Sequence, residues 1–220
     1  MMKKRSRRIV RRILLIPVVA VLAVTVWGFL DATEGAEART VWNYTWPGQS
    51  GGTRGGYLVD PARARRVVED DRGGARIRVE RSPDGRLPAV VLIHEWWGLN
   101  LETVRMAERL AADGYVVLAP DLLRGKLSVT MPGALVQMAL SRNANITADL
   151  DLAFRQLQAM PEVDPQRVAI VGFCFGGTQA MNAGVRHADL AAVGIFYGGG
   201  PITDADELGH LGSAMPVFGA

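Results

Sequence analysis

One stretch, Gly172-Phe173-Cys174-Phe175-Gly176-Gly177, narrows the folds open to this chain more than any other, because it follows directly on the apolar run Val168-Ala169-Ile170-Val171. A short β-rich run, then a glycine, a bulkier tip and two more glycines, is the pattern of a buried strand turning sharply into a helix. The tip residue of such a bend has a strained backbone, and only small neighbours let the two arms approach. Gly172 and Gly176 are those neighbours, and Cys174, the chain's single cysteine, is at the tip. Its sulfur is lifted above the sheet, where the unpaired N–H groups and positive dipole end of the following helix favour a thiolate. The bland reading is a small buried hydrophobe beside a turn; the spacing and strand context favour a nucleophile.

The rest of the chain alternates short β-rich runs with helical patterns. Residues 76–81 alternate basic and apolar side chains, Ser82-Pro83-Asp84-Gly85 carries turn chemistry, and residues 88–94 are a continuous apolar run, so a hairpin leading into a buried strand is expected. Asn100 caps a helix to about residue 113, which Gly114 stops. Further strands are expected over 115–119, 168–171, 191–197 and 216–218, and helices over 131–141 and 147–160, the latter with an Asp151–Arg155 ion pair at i,i+4. Such alternation predicts an α/β fold, a doubly wound and mostly parallel sheet with its ligand site at the carboxyl ends of the strands.

At 220 residues and 49% hydrophobic, the chain has material for one such domain plus an appendage. The net charge of +3 belongs to the appendage: Lys3, Lys4, Arg5, Arg7, Arg8, Arg11 and Arg12 are all basic, and without them 18 basic residues face 22 acidic ones, a net of −4. A nucleic-acid partner is therefore not expected. Residues 13–30 follow without a charge, about 27 Å as a helix at ~1.5 Å per residue, which predicts a transmembrane anchor with the later residues outside the cytoplasm. The alternative is an exported chain whose signal is cleaved near Ala36-Glu37-Ala38. The division expected is an anchor or signal over 1–38, a linker that partly docks over 39–55, and the α/β domain over 56–220. Three histidines and one cysteine lack ligand spacing, so neither metal nor cofactor is expected.

His94-Glu95-Trp96-Trp97-Gly98-Leu99-Asn100, Ala119-Pro120-Asp121-Leu122, the Cys174 segment and Tyr197-Gly198-Gly199 occur in one order along the chain. With these motifs the sequence resembles the dienelactone hydrolase family of α/β-hydrolases from about residue 56 onward. The resemblance implies hydrolysis of a small ester or lactone through an acyl-cysteine formed on Cys174. It implies an oxyanion hole of the Phe175 and Trp96 backbone N–H groups, and a role for Glu95 in contacting the resting cysteine. Arg124 is implied as a substrate-carboxylate ligand, with Trp97 and Tyr197 at the substrate mouth. For Glu95 and Arg124, a solvated carboxylate and a surface arginine are the competing readings.

The family places its triad aspartate after the strand matching residues 215–218 and its histidine later still. Neither position has a counterpart here, which implies a truncated chain lacking the last strand and helix, and inactive as it stands. The acids and bases present elsewhere are His94, Asp204, Asp206, His187 and His210, none on the expected loop. A reading of a different class keeps the fold without the chemistry: a membrane-tethered module binding a small apolar ligand among Trp96, Trp97, Phe173 and Tyr197.

Overall fold

Two strands that are buried along their whole length, β3 (Leu87–Ile93) and β4 (Val116–Pro120), lie at the centre of the sheet. Continuous apolar runs of this kind require cover on both faces, which helices provide. The computed structural model describes residues 17, 19–31, 37–49, 51–64, 79–198 and 216–219. Helix α1 covers 19–31, and a 3-10 turn (Ala38–Val41) leads into β1 (Tyr44–Pro47), β2 (Thr53–Val59) and the single turn α2 (Pro61–Ala64). After β3 come α3 (Leu101–Asp113), β4, α4 (Met131–Leu140), α5 (Asn143–Gln158), β5 (Val163–Phe173), α6 (Phe175–Arg186), β6 (Ala192–Phe196) and β7 (Val217–Gly219).

The strand order is β1-β2-β4-β3-β5-β6-β7. Strands β4, β3, β5, β6 and β7 run parallel, and β2 and β1 complete one edge antiparallel. From β3 the chain moves outward to β4 and then returns past β3 to β5, so the strand order reverses at β3. A crevice opens at such a switch point, beyond the carboxyl ends of the strands. His94 and Cys174 each follow directly on the two strands that flank it.

Alternate residues of β3 divide the core. Ala89, Val91 and Ile93 pack with Leu150, Phe154 and Leu157 of α5 and Ala180 and Ala183 of α6. Val90 and Leu92 face the other way, against Ala107 and Ala111 of α3, Val59 and Ala64. Local signals set the helix ends. The Asn100 side chain accepts from the Thr103 N–H, and Gly114 stops α3 at φ 119° with its own N–H on Ala111. Thr130 caps α4 by accepting from Gly133 N–H, with Pro132 in the first turn.

The mostly parallel α/β sheet expected from the alternation is present. Several local expectations are corrected. Residues 39–55, expected as a linker, carry β1 and the start of β2, and Trp42 is bound to Asp121 through its ring N–H at 3.1 Å. Strand β5 begins earlier than 168: Leu87 pairs with Val163 but Ala89 with Val168, so the intervening residues bulge and accommodate Pro165. Asp151 does not take Arg155; it accepts from Arg186 at 2.9 Å and His187 at 2.8 Å at the end of α6. The Ser82–Gly85 turn forms, with Gly85 N–H on the Ser82 carbonyl at 2.8 Å, but residues 76–78 of the expected hairpin lie outside the described residues.

The transmembrane helix expected over 13–30 is likewise not supported. Among the described residues no helix is long and apolar enough to cross a membrane. Residues 13–16 and 18 of the expected span lie outside the described residues. The C-terminal end of helix α1 is tied to the domain: Asp31 accepts from the Thr130 hydroxyl at 2.6 Å and N–H at 3.1 Å, and Gly28 packs on Pro132.

A buried ion cluster joins the sheet edge to the helices. Asp149 of α5 accepts from Arg54 of β2 at 2.6 Å and from Arg124, in the loop after β4, at 2.7 Å; Asp149 and Arg54 are almost fully buried and Arg124 about one-third exposed. Removing the charge at Asp149 leaves the Arg54 guanidinium buried without its counter-ion. Asp149→Asn is expected to lower unfolding free energy by about 3 kcal/mol in urea titration, whereas Arg124→Gln, whose side chain reaches solvent, lowers it by about 1 kcal/mol or less.

Candidate active site

Strand β5 leads into Cys174 and helix α6 leaves from it, as the sequence pattern requires. Cys174 has φ 53° and ψ −117°, a left-handed conformation that non-glycine residues seldom adopt. The glycines around it are sterically necessary. A Cβ on Gly172 would stand 2.0 Å from the Gly176 carbonyl oxygen, and one on Gly176 would stand 2.5 Å from that of Ile93. The bend is also tied to the next strand, since the Cys174 N–H donates to the Phe196 carbonyl at 3.0 Å. Cys174 is a free thiol and half-buried. The Phe175 N–H opens α6, where the first amides have no intrahelical acceptor.

Beside this bend, the loop after β3 turns over residues 95–98, with the Gly98 N–H on the Glu95 carbonyl at 3.2 Å. Trp96 and Trp97 occupy the middle of the turn and meet edge to face at 5.3 Å. A cavity of about 280 Å³ opens here, lined among others by Glu95, Trp97, Asn100, Met106, Phe173 and Tyr197. Phe173 stacks on Phe196 at 4.7 Å and touches Tyr197 at 6.0 Å.

Glu95 and Tyr197 form a pair: the Tyr197 hydroxyl donates to the Glu95 carboxylate at 3.1 Å. Tyr197 itself has φ 39°, a second strained residue at the strand ends. Desolvation, the bond to Glu95 and the charges of Glu95 and Cys174 push the phenol above its ordinary range. The cavity wall thus brings together Glu95, Trp97, Phe173 and Tyr197; Cys174 and Phe175 follow Phe173 at the bend, and Trp96 precedes Trp97 in the turn. Arg124 follows β4 at φ 58° and pairs with Asp149.

The described histidines are engaged elsewhere. His187 caps the far end of α6 and bonds Asp151. His94 is fully buried; its Nδ1 hydrogen donates to the Glu95 carbonyl at 2.6 Å, and Nε2 accepts from the Leu122 N–H at 3.2 Å. These bonds define a neutral ring with no nitrogen left for the thiol. Asp204, Asp206 and His210 lie outside the described residues. Among the described residues no cluster of potential metal ligands occurs.

Sequence reasoning missed the supports of this site. Buried Asp121 accepts from the Leu123 N–H at 3.0 Å, the Gly125 N–H at 2.6 Å and Trp42. Buried Gln137 of α4 reaches the Trp96 and Trp97 carbonyls. The available signal for Gln137 was its place as the one polar side chain of the apolar helix Met131–Leu140.

Desolvation holds the His94 ring below its ordinary pKa of 6.5, against the charges of Asp121 and Glu95. Burial pushes Asp121 in the opposite sense, upward from its ordinary range, against His94 and its three N–H donors. For His94 the unfolded chain takes up a proton that the native state refuses, so its stabilising contribution is complete above about pH 6.5 and lost as the pH falls. The upward shift of Asp121 has the reverse slope, so the control is a variant lacking the ring. The urea midpoint is expected to fall between about pH 7 and pH 5, with a shallower fall in His94→Gln.

Comparison with known proteins agrees with this geometry. The model of the dienelactone hydrolase family matches residues 75–219. "Protein usf" of Aquifex pyrophilus is 31% identical over 162 residues, covering 69% of this chain and 68% of that one. A carboxymethylenebutenolidase homolog of Rattus norvegicus is 29% identical over 138 residues, covering 60% and 55%. Among solved structures, "m3DLH" has a TM-score of 0.58 at 30% identity over 76% of this chain and 62% of that one. The chain thus spans between about half and two thirds of the length of these relatives. A glycine-framed bend that carries an unpaired thiol at a sheet switch point, and a family match across most of the domain, lead to one assignment: the chain belongs to the dienelactone hydrolase family of α/β-hydrolases.

Proposed function

We propose that the domain cleaves small esters or lactones with Cys174 as nucleophile. The observation that carries the reading is the left-handed Cys174 backbone between β5 and α6, which presents the sulfur beside the first amide of a helix. The thiolate adds to the carbonyl carbon, and the carbonyl oxygen takes the negative charge. Hydrogen bonds from the Phe175 and Trp96 N–H groups stabilise that oxyanion, because fixed dipoles aimed at developing charge need no reorganisation. Collapse breaks the C–O bond, releases the alkoxide to take a proton, and leaves an acyl thioester on Cys174. Water then hydrolyses the thioester, a step that needs a base.

None of the described histidines reaches the thiol with a free ring nitrogen. Acylation is therefore the step that the described residues support, and steady turnover depends on a base supplied from elsewhere. Trp97 and Tyr197 flank the substrate in the cavity, while Arg124 serves the ion cluster with Asp149 rather than a substrate carboxylate. Names of the relatives, such as carboxymethylenebutenolidase homolog, support a lactone among the candidate substrates. The aromatic lining also fits plain ligand binding, and Cys174 separates the two readings. With p-nitrophenyl acetate, a burst of up to one p-nitrophenolate per chain is expected, with a mass increase of one acetyl group at Cys174. Cys174→Ala should abolish both; a burst that survives in that variant would overturn the nucleophile assignment.

Location is part of the proposal. The basic cluster followed by the uncharged residues 13–30 supports export, with the hydrolase domain outside the cytoplasmic membrane. Alkaline phosphatase fused to the C-terminus of the chain is expected to be active in a bacterial host, since that enzyme matures only after export; an abundant, inactive fusion would refute export.

A further inference from the structure

Three successive carbonyls of the loop after β3 are held from its inner side. The Glu95 carbonyl accepts from the His94 ring at 2.6 Å and from the Gly98 N–H at 3.2 Å. The Trp96 carbonyl accepts from the Gln137 side-chain amide at 3.0 Å. The Trp97 carbonyl accepts from the same amide at 3.3 Å and from the Ser128 N–H at 2.9 Å. In a trans peptide the N–H points opposite to the C=O of its own plane. The Trp96 N–H shares its peptide plane with the Glu95 carbonyl, so holding that carbonyl on the His94 ring directs the Trp96 N–H away from it, and holding the Trp96 carbonyl fixes the plane that follows; no described residue accepts a hydrogen bond from the Trp96 N–H.

Gln137 suits this task. It has no solvent exposure, it comes from α4, forty residues on in sequence, and its amide orientation is set on both sides. The Ser128 hydroxyl donates to Oε1 at 3.2 Å, which leaves Nε2 to face the two carbonyls. A buried amide with both ends satisfied holds a loop in place; one with its donors removed leaves two carbonyls unpaired. An apolar residue would fit its otherwise apolar helix equally well, so packing alone does not call for a glutamine.

We propose that Gln137 is a positioning residue for the oxyanion site: by gripping the Trp96 and Trp97 carbonyls it fixes the two peptide planes that follow the Trp96 N–H, and so holds in place the turn on which that N–H faces the reacting carbonyl oxygen. The inference rests on the reading of Cys174 as an acylated nucleophile. It predicts a selective defect, because alkylation of the thiol by iodoacetamide passes through no oxyanion whereas acylation by p-nitrophenyl acetate does.

Both rates at Cys174 are to be measured on the full chain and on two variants, Gln137→Leu and the equally sized Gln137→Glu, whose carboxylate has no hydrogen to give. The acylation rate is expected to fall by about 10²-fold, the cost of a displacement near 1 Å at a reacting centre, with alkylation changed by less than about twofold. Equal loss of both rates, or an unchanged acylation rate, would overturn the proposal. Amide hydrogen exchange provides a readout independent of chemistry. The Gly98 and Ser128 amides should exchange at least tenfold faster in both variants while the amides of α6 keep their protection. Unchanged protection at Gly98 and Ser128 overturns the positioning role even if the parent chain never acylates. Absence of a Cys174-dependent burst in the parent chain would instead refute the hydrolase reading, with the exchange data still deciding the role of Gln137.

Discussion

The close crossing of β5 and α6 is the constraint on which the other features of the site depend. Backbone atoms meet there where side chains normally intervene: Gly172 lies against the Gly176 carbonyl, Gly176 against the Ile93 and His94 carbonyls, and Gly177 against the Phe196 carbonyl. These contacts reach β3 and β6 as well as β5, so one bend fixes three strand ends relative to each other. That is why a residue at φ 53° can be maintained there; the surrounding contacts over-determine its conformation. Approach of α6 to the end of β3 also brings the first helix amide toward the loop that begins at His94, and the two oxyanion donors of the proposal come from those two segments.

Around this bend the polar groups follow a single logic. Buried side chains take up the backbone groups of the loops after β3 and β4. His94 illustrates it: one ring nitrogen donates to Glu95 while the other accepts from Leu122, joining the loops after β3 and β4. Asp121 does the same for the next turn, taking three N–H donors, one of them from Trp42 before β1. Each of these side chains is almost fully buried, and each would be costly without its partners. Their expense is compensated by a rim whose backbone is fixed before any substrate arrives, which is what electrostatic stabilisation of an oxyanion requires.

Much of this was legible because it is local. The bend at Cys174, the apolar runs of β3 and β4, the Asn100 cap and the Gly114 stop all depend on neighbours within a few residues, and each appears where the pattern placed it. Long-range polar pairing was not legible. Arg124 resembled a substrate ligand by its distance from Pro120-Asp121, yet its partner Asp149 lies on a helix whose face could not be assigned before α5 was packed. Asp151 had an acceptable partner four residues on, but the end of α6 offers a guanidinium and an imidazole together. The segment over 39–55 lacked sustained alternation because β1 is short and β2 carries glycines at 55 and 56, its third and fourth residues. There Gly56 faces the Ala119 carbonyl, and an added Cβ would stand 2.4 Å from it.

The antiparallel edge therefore has a function beyond closing the sheet. It brings Arg54 to Asp149 and places Trp42 on Asp121, so two buried carboxylates near the end of β4 receive partners from residues that precede the parallel sheet in sequence. One of these carboxylates holds Arg124 and the other holds the turn at 121–125, which in turn contacts His94 through Leu122. A chain of direct hydrogen bonds thus runs from the edge hairpin through the β4 loop to the Glu95 carbonyl. The geometry of the loop after β3 is consequently supported from two directions, by α4 through Gln137 and by the sheet edge through Trp42, Asp121 and His94, and neither support comes from β5, the strand that leads into Cys174.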